Sequence, residues 1–460
     1  MLQPVNRLPP EIISHFARCL IGDDTSTRSI IPLTHVCRYW RESITSAPGN
    51  WTSISSISTK LTALSLKRSR LAPLRLKLSM EHIRRYPKFR DLLTPHVQNA
   101  IEVLHFCDLP SGRDFTQTFP DFPQSLPNLR TLELVSSGES KHRWDSSTDP
   151  FGSLPPTLRH LSLTNIPLYP SFLKLETLTK LTLEYLYIHP SPLDTILDLL
   201  EENRSLESVD INILSKKLPV GTSQRQTVIA NQLQHLSIVC PDAMATRTII
   251  SNASLKRGAH LKIDFCGEDT EPALNKILFD VSLAHLSNLP SPTFMEYNSS
   301  PRAVRLAGPN GHFSYKHHLY ARIPFVEFPV LPLTKVRELR LAHTGLPVAL
   351  NPSSFPALET LTIQYNGNIS DLFSTLFPNP SIFPSLKTLG FLNCAITDGF
   401  MAGLARFASD RKKTTSAWLH RVLIVHWDGK VPSNGLIRRL GDNVMIVDVR
   451  IGDKLPDDLT

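Results

Sequence analysis

The sequence predicts a mixed α/β protein in which a small N-terminal helical module leads into a curved parallel sheet wound as an irregular solenoid. Three observations carry this. Two amphipathic runs with helical spacing occupy the first fifty residues and are closed by Pro48. The apolar phrase L-x-x-L-x-L, with Leu, Ile, Val or Phe at each apolar position, then recurs along most of the remaining chain. A length of 460 residues exceeds what one hydrophobic core organises, and a hydrophobic content of 41% is ample for folding.

In the first run, Pro9 and Pro10 stand where a helix can begin, because proline's fixed φ suits the first turn and its missing N–H is not needed there. Glu11 favours the positive end of the helix dipole, and Ile12, Ile13, Phe16, Ala17 and Leu20 make one apolar face. Gly22-Asp23-Asp24-Thr25-Ser26 breaks the helix. The second run puts Ile30, Leu33, Val36, Cys37 and Trp40 on one side, with Thr34, Arg38 and Arg41 on the other. A module of about fifty residues is near the lower limit for a self-supporting core, so a partner is expected to cover part of its apolar surface. Periodicity alone admits equally an ordinary helical cap on a larger domain.

The order Leu8-Pro9-Pro10-Glu11-Ile12, then Leu33-x-x-Val36-Cys37-Arg38-x-Trp40-Arg41, then Pro48-x-x-Trp51 resembles an F-box of the fungal type. The resemblance implies docking to the Skp-family adaptor of an SCF-type cullin-RING ubiquitin ligase. Its adaptor-binding set is Leu8, Pro9, Pro10, Ile12, Ile13, Leu33, Val36, Cys37, Trp40 and Trp51, packed within the module or against the adaptor, with Trp51 closing the module. The polar segment from Ile21 to Ser29 is longer than the usual inter-helix loop and touches none of these positions.

The repeated phrase falls at Leu129-Leu132-Leu134, Leu158-Leu161-Leu163, Leu178-Leu181-Leu183, Leu206-Val209-Ile211 and Leu233-Leu236-Ile238. It returns at Val336-Leu339-Leu341, Leu358-Leu361-Ile363, Leu386-Leu389-Phe391, Leu419-Val422-Ile424 and Val444-Val447-Val449, with weaker copies at Leu61-Leu64-Leu66 and Ile101-Leu104-Phe106. The spacing, roughly 20–30 residues, is that of leucine-rich repeats, in which each unit supplies one short strand and stacked units share a core. Prolines at 127, 155, 156, 356 and 384 set a rigid turn just before the strand. The regular asparagine of such repeats is mostly missing, although Asn165 and Asn393 stand near its place.

Alternation along a strand sends the two leucines of L-x-L inward and their neighbours outward. The outward set is polar and mixed, which suits a protein ligand; from it, His160, Lys180, Glu184, Asp210, His235, Glu338, Arg340 and Gln364 are the candidate client-binding surface. Between Glu268 and Pro332 the phrase is interrupted. Glu271 to Leu286 reads as an amphipathic helix, and the run from Arg302 to Tyr315 as a hairpin turning at Asn310-Gly311. That stretch is either an insertion or diverged repeats.

The expected division is an F-box domain over 5–55, a linker and cap with weak repeats over 56–125, leucine-rich repeats over 126–267, an irregular part over 268–332, and repeats with a C-terminal cap over 333–460. No run approaches the length of a membrane span and the N-terminus lacks the order of a secretory signal, so a cytoplasmic or nuclear location is expected. The six cysteines are scattered without a Cys-x-x-Cys pair, and His312, His317 and His318 lack a matching ligand at metal-site spacing; no metal or cofactor is expected. The net charge of +8 gathers at Lys67, Arg68, Arg70, Arg75 and Lys77, at Arg84, Arg85, Lys88 and Arg90, and at Arg411, Lys412 and Lys413. A solvated linker or cap explains the first two groups, and the outward strand positions are polar and mixed, not the Lys and Arg interleaved with aromatics that a nucleic-acid groove requires. No phosphate loop, nucleophile elbow, His-Glu-x-x-His or kinase signature is present, so no enzymatic activity is expected. The reading is a non-catalytic substrate receptor whose partners are the Skp-family adaptor, a cullin scaffold and a protein client. The alternatives are a leucine-rich-repeat scaffold outside any ligase, and a basic protein that binds nucleic acid or an anionic surface.

Overall fold

The computed structural model describes residues 8–21, 27–109, 126–136, 149–185 apart from 150 and 153, 193–213, 233–265 apart from 254, 257 and 258, 294–299, 302–308, 311–317, 333–342, 355–364, 381–414 apart from 395, 418–426 and 433–451. The chain forms two compact units, residues 1–233 and 234–460. Both are mixed α/β with extensive parallel sheet, and the first begins with a helical region.

Helix α1 (Pro10–Ile21) starts where the proline pair directs it. The second run is not one helix: short 3₁₀ turns at Thr27–Ile30 and Pro32–His35 precede α2 (Arg38–Ser46). The break falls at Cys37, whose extended backbone (φ −160°) and sulfur, 3.5 Å from the Trp40 amide, cap α2. A 3₁₀ turn, Pro48–Trp51, closes the module. Ile13, Ala17, Ile30, Trp40, Ile44 and Trp51 form its core. The Ile44 carbonyl accepts both the Trp51 indole N–H (3.1 Å) and the Asn50 amide (3.2 Å), and Tyr39 Oη donates to the Leu8 carbonyl at 2.8 Å.

In the first unit the chain continues through β1 (Ser53–Ser55), α3 (Thr59–Ser69), β2 (Leu74–Ser79), α4 (Met80–Arg85), α5 (Pro95–Ala100) and β3 (Ile101–Cys107). Then come β4 (Thr131–Val135), β5 (His160–Thr164), β6 (Lys180–Tyr185), α6 (Leu193–Glu202) and β7 (Ser208–Ile213). The seven strands pair in chain order, all parallel. One row of the register runs Leu76, Leu104, Leu132, Leu161, Leu181, Val209, and every member is at most 2% exposed. The region 56–125 is therefore no linker in its described part. The weak copy at Leu61-Leu64-Leu66 lies in α3 rather than in a strand, because Ser58 caps a helix there; the strand is the next alternating run, LRLKLS.

Side chains just ahead of the strands tie each turn to its predecessor. The Thr157 hydroxyl donates to the Pro127 and Leu129 carbonyls (both 2.9 Å), Thr177 to those of Pro156 and Leu158 (2.6 and 2.7 Å), and Ser205 to that of Leu178 (2.9 Å). Asn128 reaches back to the Asn99 carbonyl at 2.8 Å. Behind the strands, buried Asn203 accepts from the Leu175 amide and donates to the Leu173 and Leu199 carbonyls. Asn165 takes a left-handed conformation (φ 56°) at the end of β5 and donates to the Ser136 carbonyl; Asn393 (φ 55°) and Asp108 (φ 58°) hold the equivalent bend.

The second unit holds β8 (His235–Cys240), α7 (Ala243–Asn252), β9 (His260–Phe265), β10 (Phe294–Ser299), β11 (Arg302–Gly308) and β12 (Gly311–His317). It continues with β13 (Glu338–Ala342), β14 (Thr360–Gln364), β15 (Thr388–Leu392), α8 (Asp398–Thr414), β16 (Arg421–His426), α9 (Asn434–Gly441) and β17 (Ile446–Ile451). The irregular middle is part of the sheet. Strands β10, β11 and β12 form an antiparallel meander, with β12 parallel to β9 and β10 parallel to β13. Gly308 pairs with Gly311, so Gly311, expected in the turn, is already part of β12. The helix expected at 271–286 lies outside the described residues.

Outward positions are not uniformly solvated. Thr362 and Ser237 are buried, and Leu392, Leu423 and Val425 form a second apolar cluster. Strands β15 and β16 are buried on both faces, which their almost unbroken apolar sequences already imply. Arg411 belongs to the third basic group. It is completely buried, and its guanidinium donates to the carbonyls of Ile382 (2.9 Å), Phe383 (2.8 Å), Pro384 (3.2 Å) and Leu386 (3.2 Å). Burial pulls its pKa below the ordinary arginine value.

Leu361, fully buried in β14, should cost ~2–5 kcal/mol when truncated to Ala; an unchanged urea midpoint would contradict the register. Arg411→Met should cost on the order of 3 kcal/mol by orphaning the buried carbonyls. Arg411→Lys should recover little of this, since an ammonium lacks the planar fork. A Lys variant as stable as the wild type would show that the multiple contacts carry no weight.

Candidate docking surfaces

The helical module offers an apolar surface made by α1. Its residues Ile13 and Ala17 face the core, while Ile12, Phe16 and Leu20, on another line of i, i+4 neighbours, are 42%, 51% and 51% exposed. Val36, in the segment between the 3₁₀ turn and α2, is 53% exposed. Of the sequence-derived adaptor set, Pro9, Pro10, Ile12 and Val36 are on the surface, and Leu8, Leu33 and Cys37 are half-buried against the core. Ile13, Trp40 and Trp51, at most 9% exposed, are the members that pack within the module, and they hold it together rather than present surface. Phe16 and Leu20 belong to the apolar face read from the sequence but not to the docking set; their helical spacing from Ile12 is the signal that marks them.

Trp51 also links the module to α3. The Arg68 guanidinium lies 4.3 Å from the Trp51 ring centroid, a cation–π contact that fixes one member of the first basic group in a packing role.

The second surface is the polar face of the first unit's sheet. Along its middle row the register aligns Lys77, His105, Glu133, Ser162, Thr182 and Asp210. Row neighbours interact: His105 Nδ1 lies 2.9 Å from Glu133 Oε2, a hydrogen bond that, with the imidazole's charge and Lys77 and Lys180 nearby, holds the Glu133 carboxyl below its ordinary pKa. His160 is exposed at the start of β5, and its pKa is lowered by partial desolvation and by Lys180 and Arg159. Glu184 accepts from Thr164 Oγ1 and Asn212 Nδ2, both at 3.2 Å, so it braces neighbouring strands. The structure thus brings His160, Lys180, Glu184 and Asp210 onto one face. The adjacent His105 and Glu133 strengthen the row; Glu133 is among the outward residues of the full phrase, and His105 is hidden in a weak copy of it.

The remaining candidates belong to the second unit, where Arg340 Nε is paired with Glu338 Oε1 of the same strand at 3.0 Å, and His235 and Gln364 are half-buried. The Cys107 thiol is pushed up to about 11 by burial and by Asp108, so it stays protonated at neutral pH and is no activated nucleophile. Among the described residues no helix is long and apolar enough to cross a membrane. No protein-family model matches the chain, and no curated protein matches it.

The lowered Glu133 pKa fixes a sign. Glutamate in the unfolded chain titrates near about 4.3, so on acidification the unfolded state takes up the proton first. The stabilisation from the His105–Glu133 contact is full above that value and is lost as pH falls through the folded one. Glu133→Gln should lower stability modestly at neutral pH, by less than about 1 kcal/mol because the pair is partly solvated. Wild type and variant should converge in acid; a gap that persists below the carboxylate range would exclude the carboxylate charge as its cause.

Proposed function

We propose that this chain is a non-catalytic substrate receptor of an SCF-type cullin-RING ubiquitin ligase. The helical module docks the Skp-family adaptor, and the sheets, built as leucine-rich repeats, hold a protein client on their polar faces. The observation that carries the reading is the exposed line Ile12, Phe16 and Leu20, joined by Val36, on a module whose own core is already filled. It lies in the segment whose sequence resembles an F-box. Leaving three large apolar side chains of one helix half in water is unfavourable without an occupant, and helix-face anchors at i, i+4 and i+8 suit a largely apolar partner.

The chemistry would then belong to the assembled ligase. Holding a client beside a ubiquitin-charged enzyme raises the effective concentration of its lysines, and no group in this chain needs to take part in bond making. Polar strand faces with inter-strand pairs such as His105–Glu133 supply a firm, hydrogen-bonding surface for such a client.

The double variant Phe16→Glu/Leu20→Glu tests the docking. Both side chains are about half exposed, so the fold should survive, as judged by an unchanged melting temperature. Adaptor affinity should fall by about 30-fold or more, the scale of losing an apolar hot spot. A folded variant that retains the adaptor as the wild type does, or a folded wild type that never retains it, would sink the proposal.

A further inference from the structure

The net charge of the chain is concentrated in one stretch. Of its 49 Lys and Arg and 41 Asp and Glu, residues 52–100 hold ten and two, and the 39 of each sign elsewhere cancel. That stretch therefore carries the whole +8. It contains α3 and, after β2, α4 with the 3₁₀ turn Pro87–Leu92. Both segments connect strands that pair as parallel neighbours, so both return on the same side of the sheet, and α3 abuts the 3₁₀ turn there. Lys88 and Arg90 of that turn are exposed. Of the two acids, Glu81 is paired with Arg85 at 2.7 Å and Asp91 is exposed.

Helix α3 inverts the usual division of side chains. Its buried residues are Thr62, Ser65 and Ser69; the Thr62 hydroxyl donates to the Ser55 carbonyl at 3.0 Å and that of Ser69 to the Leu66 carbonyl at 2.9 Å. Outside, Leu64 is 38% exposed and shares one helix face with the exposed Lys60 and Lys67, its i−4 and i+3 neighbours. Ile57 and Leu71 continue the seven-residue spacing just beyond the two ends of α3 and are 62% and 57% exposed. Arg70 and Leu71 take consecutive left-handed conformations (φ 50° and 59°), a costly choice for a leucine whose side chain is left in water.

We infer that α3 and its two flanking turns bind the surface of an anionic phospholipid bilayer, with the cations of the Pro87–Leu92 turn beside them. The charge selects an anionic partner, and the arrangement of the leucines selects a bilayer. In a protein interface Lys60 and Lys67 would stand within the apolar line and be taken out of water, where lysine is disfavoured. At a bilayer the aliphatic side chains descend below the phosphates, while the lysines, on long stems, keep their ammonium groups level with them. A nucleic acid would call for aromatic side chains to stack on its bases. The large apolar side chains exposed in this stretch are aliphatic except Tyr86, whose ring already lies 4.6 Å from that of His82. The contact is peripheral, with no segment crossing the membrane. This inference is independent of the docking proposal, whose residues lie on α1 and at Val36.

The test is co-sedimentation of the untagged full-length protein with vesicles of phosphatidylcholine, alone or with ~30% phosphatidylserine. Binding should require the phosphatidylserine and should weaken steeply as salt is raised from about 0.05 to about 0.5 M, which shortens the screening length. Lys60→Gln/Lys67→Gln/Arg70→Gln should lower the partition coefficient on the order of 100-fold, roughly a factor of five for each cation. Leu64→Ser/Leu71→Ser, which keeps every charge, should lower it about 10-fold or more. Arg438→Gln/Arg439→Gln removes two exposed cations from α9 and should bind as the wild type does. Should the leucine variant fail to fold, Ile57→Ser serves instead and should show a smaller loss in the same direction. Polyglutamate and polyuridylic acid stand for the rival partners, an acidic protein and RNA. Tighter binding to either polymer than to the phosphatidylserine vesicles, vesicle binding that ignores phosphatidylserine, or undiminished binding by a folded leucine or cation variant would overturn the inference.

Discussion

Everything in the two sheets depends on lateral satisfaction of the backbone between successive turns. A short parallel strand cannot bond to itself, and the turn before it has carbonyls that no strand partner reaches. The chain answers both needs in one direction. Strand amides pair with the preceding strand, while Thr157, Thr177, Ser205 and, in the second unit, Ser385 send hydroxyls back to carbonyls of the preceding turn. Asn203 does the same for buried groups behind the strands. Once these bonds are met, the leucine rows have no choice of register, because a slip of one residue would turn every leucine outward. Hydrophobic burial supplies the driving force and the polar bonds fix where it acts.

The strand array was legible because its signal is local and repeated. Ten full copies of L-x-x-L-x-L mark the strands from β4 to β8 and β13 to β17, and the weak copy at Ile101-Leu104-Phe106 marks β3. The hydroxyl ladder was legible too, as a Thr or Ser immediately before the first leucine in several copies, but its meaning appears only when the carbonyl acceptors are in place. What escaped depended on long-range competition. Leu61-Leu64-Leu66 satisfies the phrase, yet Ser58 offers a helix cap and the following alternating run makes the better strand. Arg411 is, in sequence, one of three consecutive cations; only the packing of α8 against carbonyls far upstream reveals a buried guanidinium.

In the helical module the sequence identified the apolar residues and left their division open. A hydrophobic stripe tells which side chains avoid water, but not whether they meet their own core or a partner. Trp40 and Trp51 are drawn inward by ring size and by the Trp51 indole bond to Ile44; Phe16 and Leu20 cannot follow because Ile13 and Ala17 already occupy the inward line of α1. A nine-residue α2 set off by Cys37 replaces the single long helix and leaves Val36 outside.

The meander of β10, β11 and β12 obeys a rule of parity. Three strands added by simple reversal begin and end pointing the same way, so β9 and β13 each meet a parallel neighbour although the chain runs antiparallel between them. One added hairpin of two strands would have presented one neighbour with the wrong direction. Because the first strand of the meander lies beside β13 and the last beside β9, the chain must cross the whole insert on entering and again on leaving, about 14 Å each way. Such a sheet can lengthen by odd meanders without disturbing the flanking strands, provided the two crossings are long enough, and this gives the fold a way to acquire new surface in its middle rather than only at its ends.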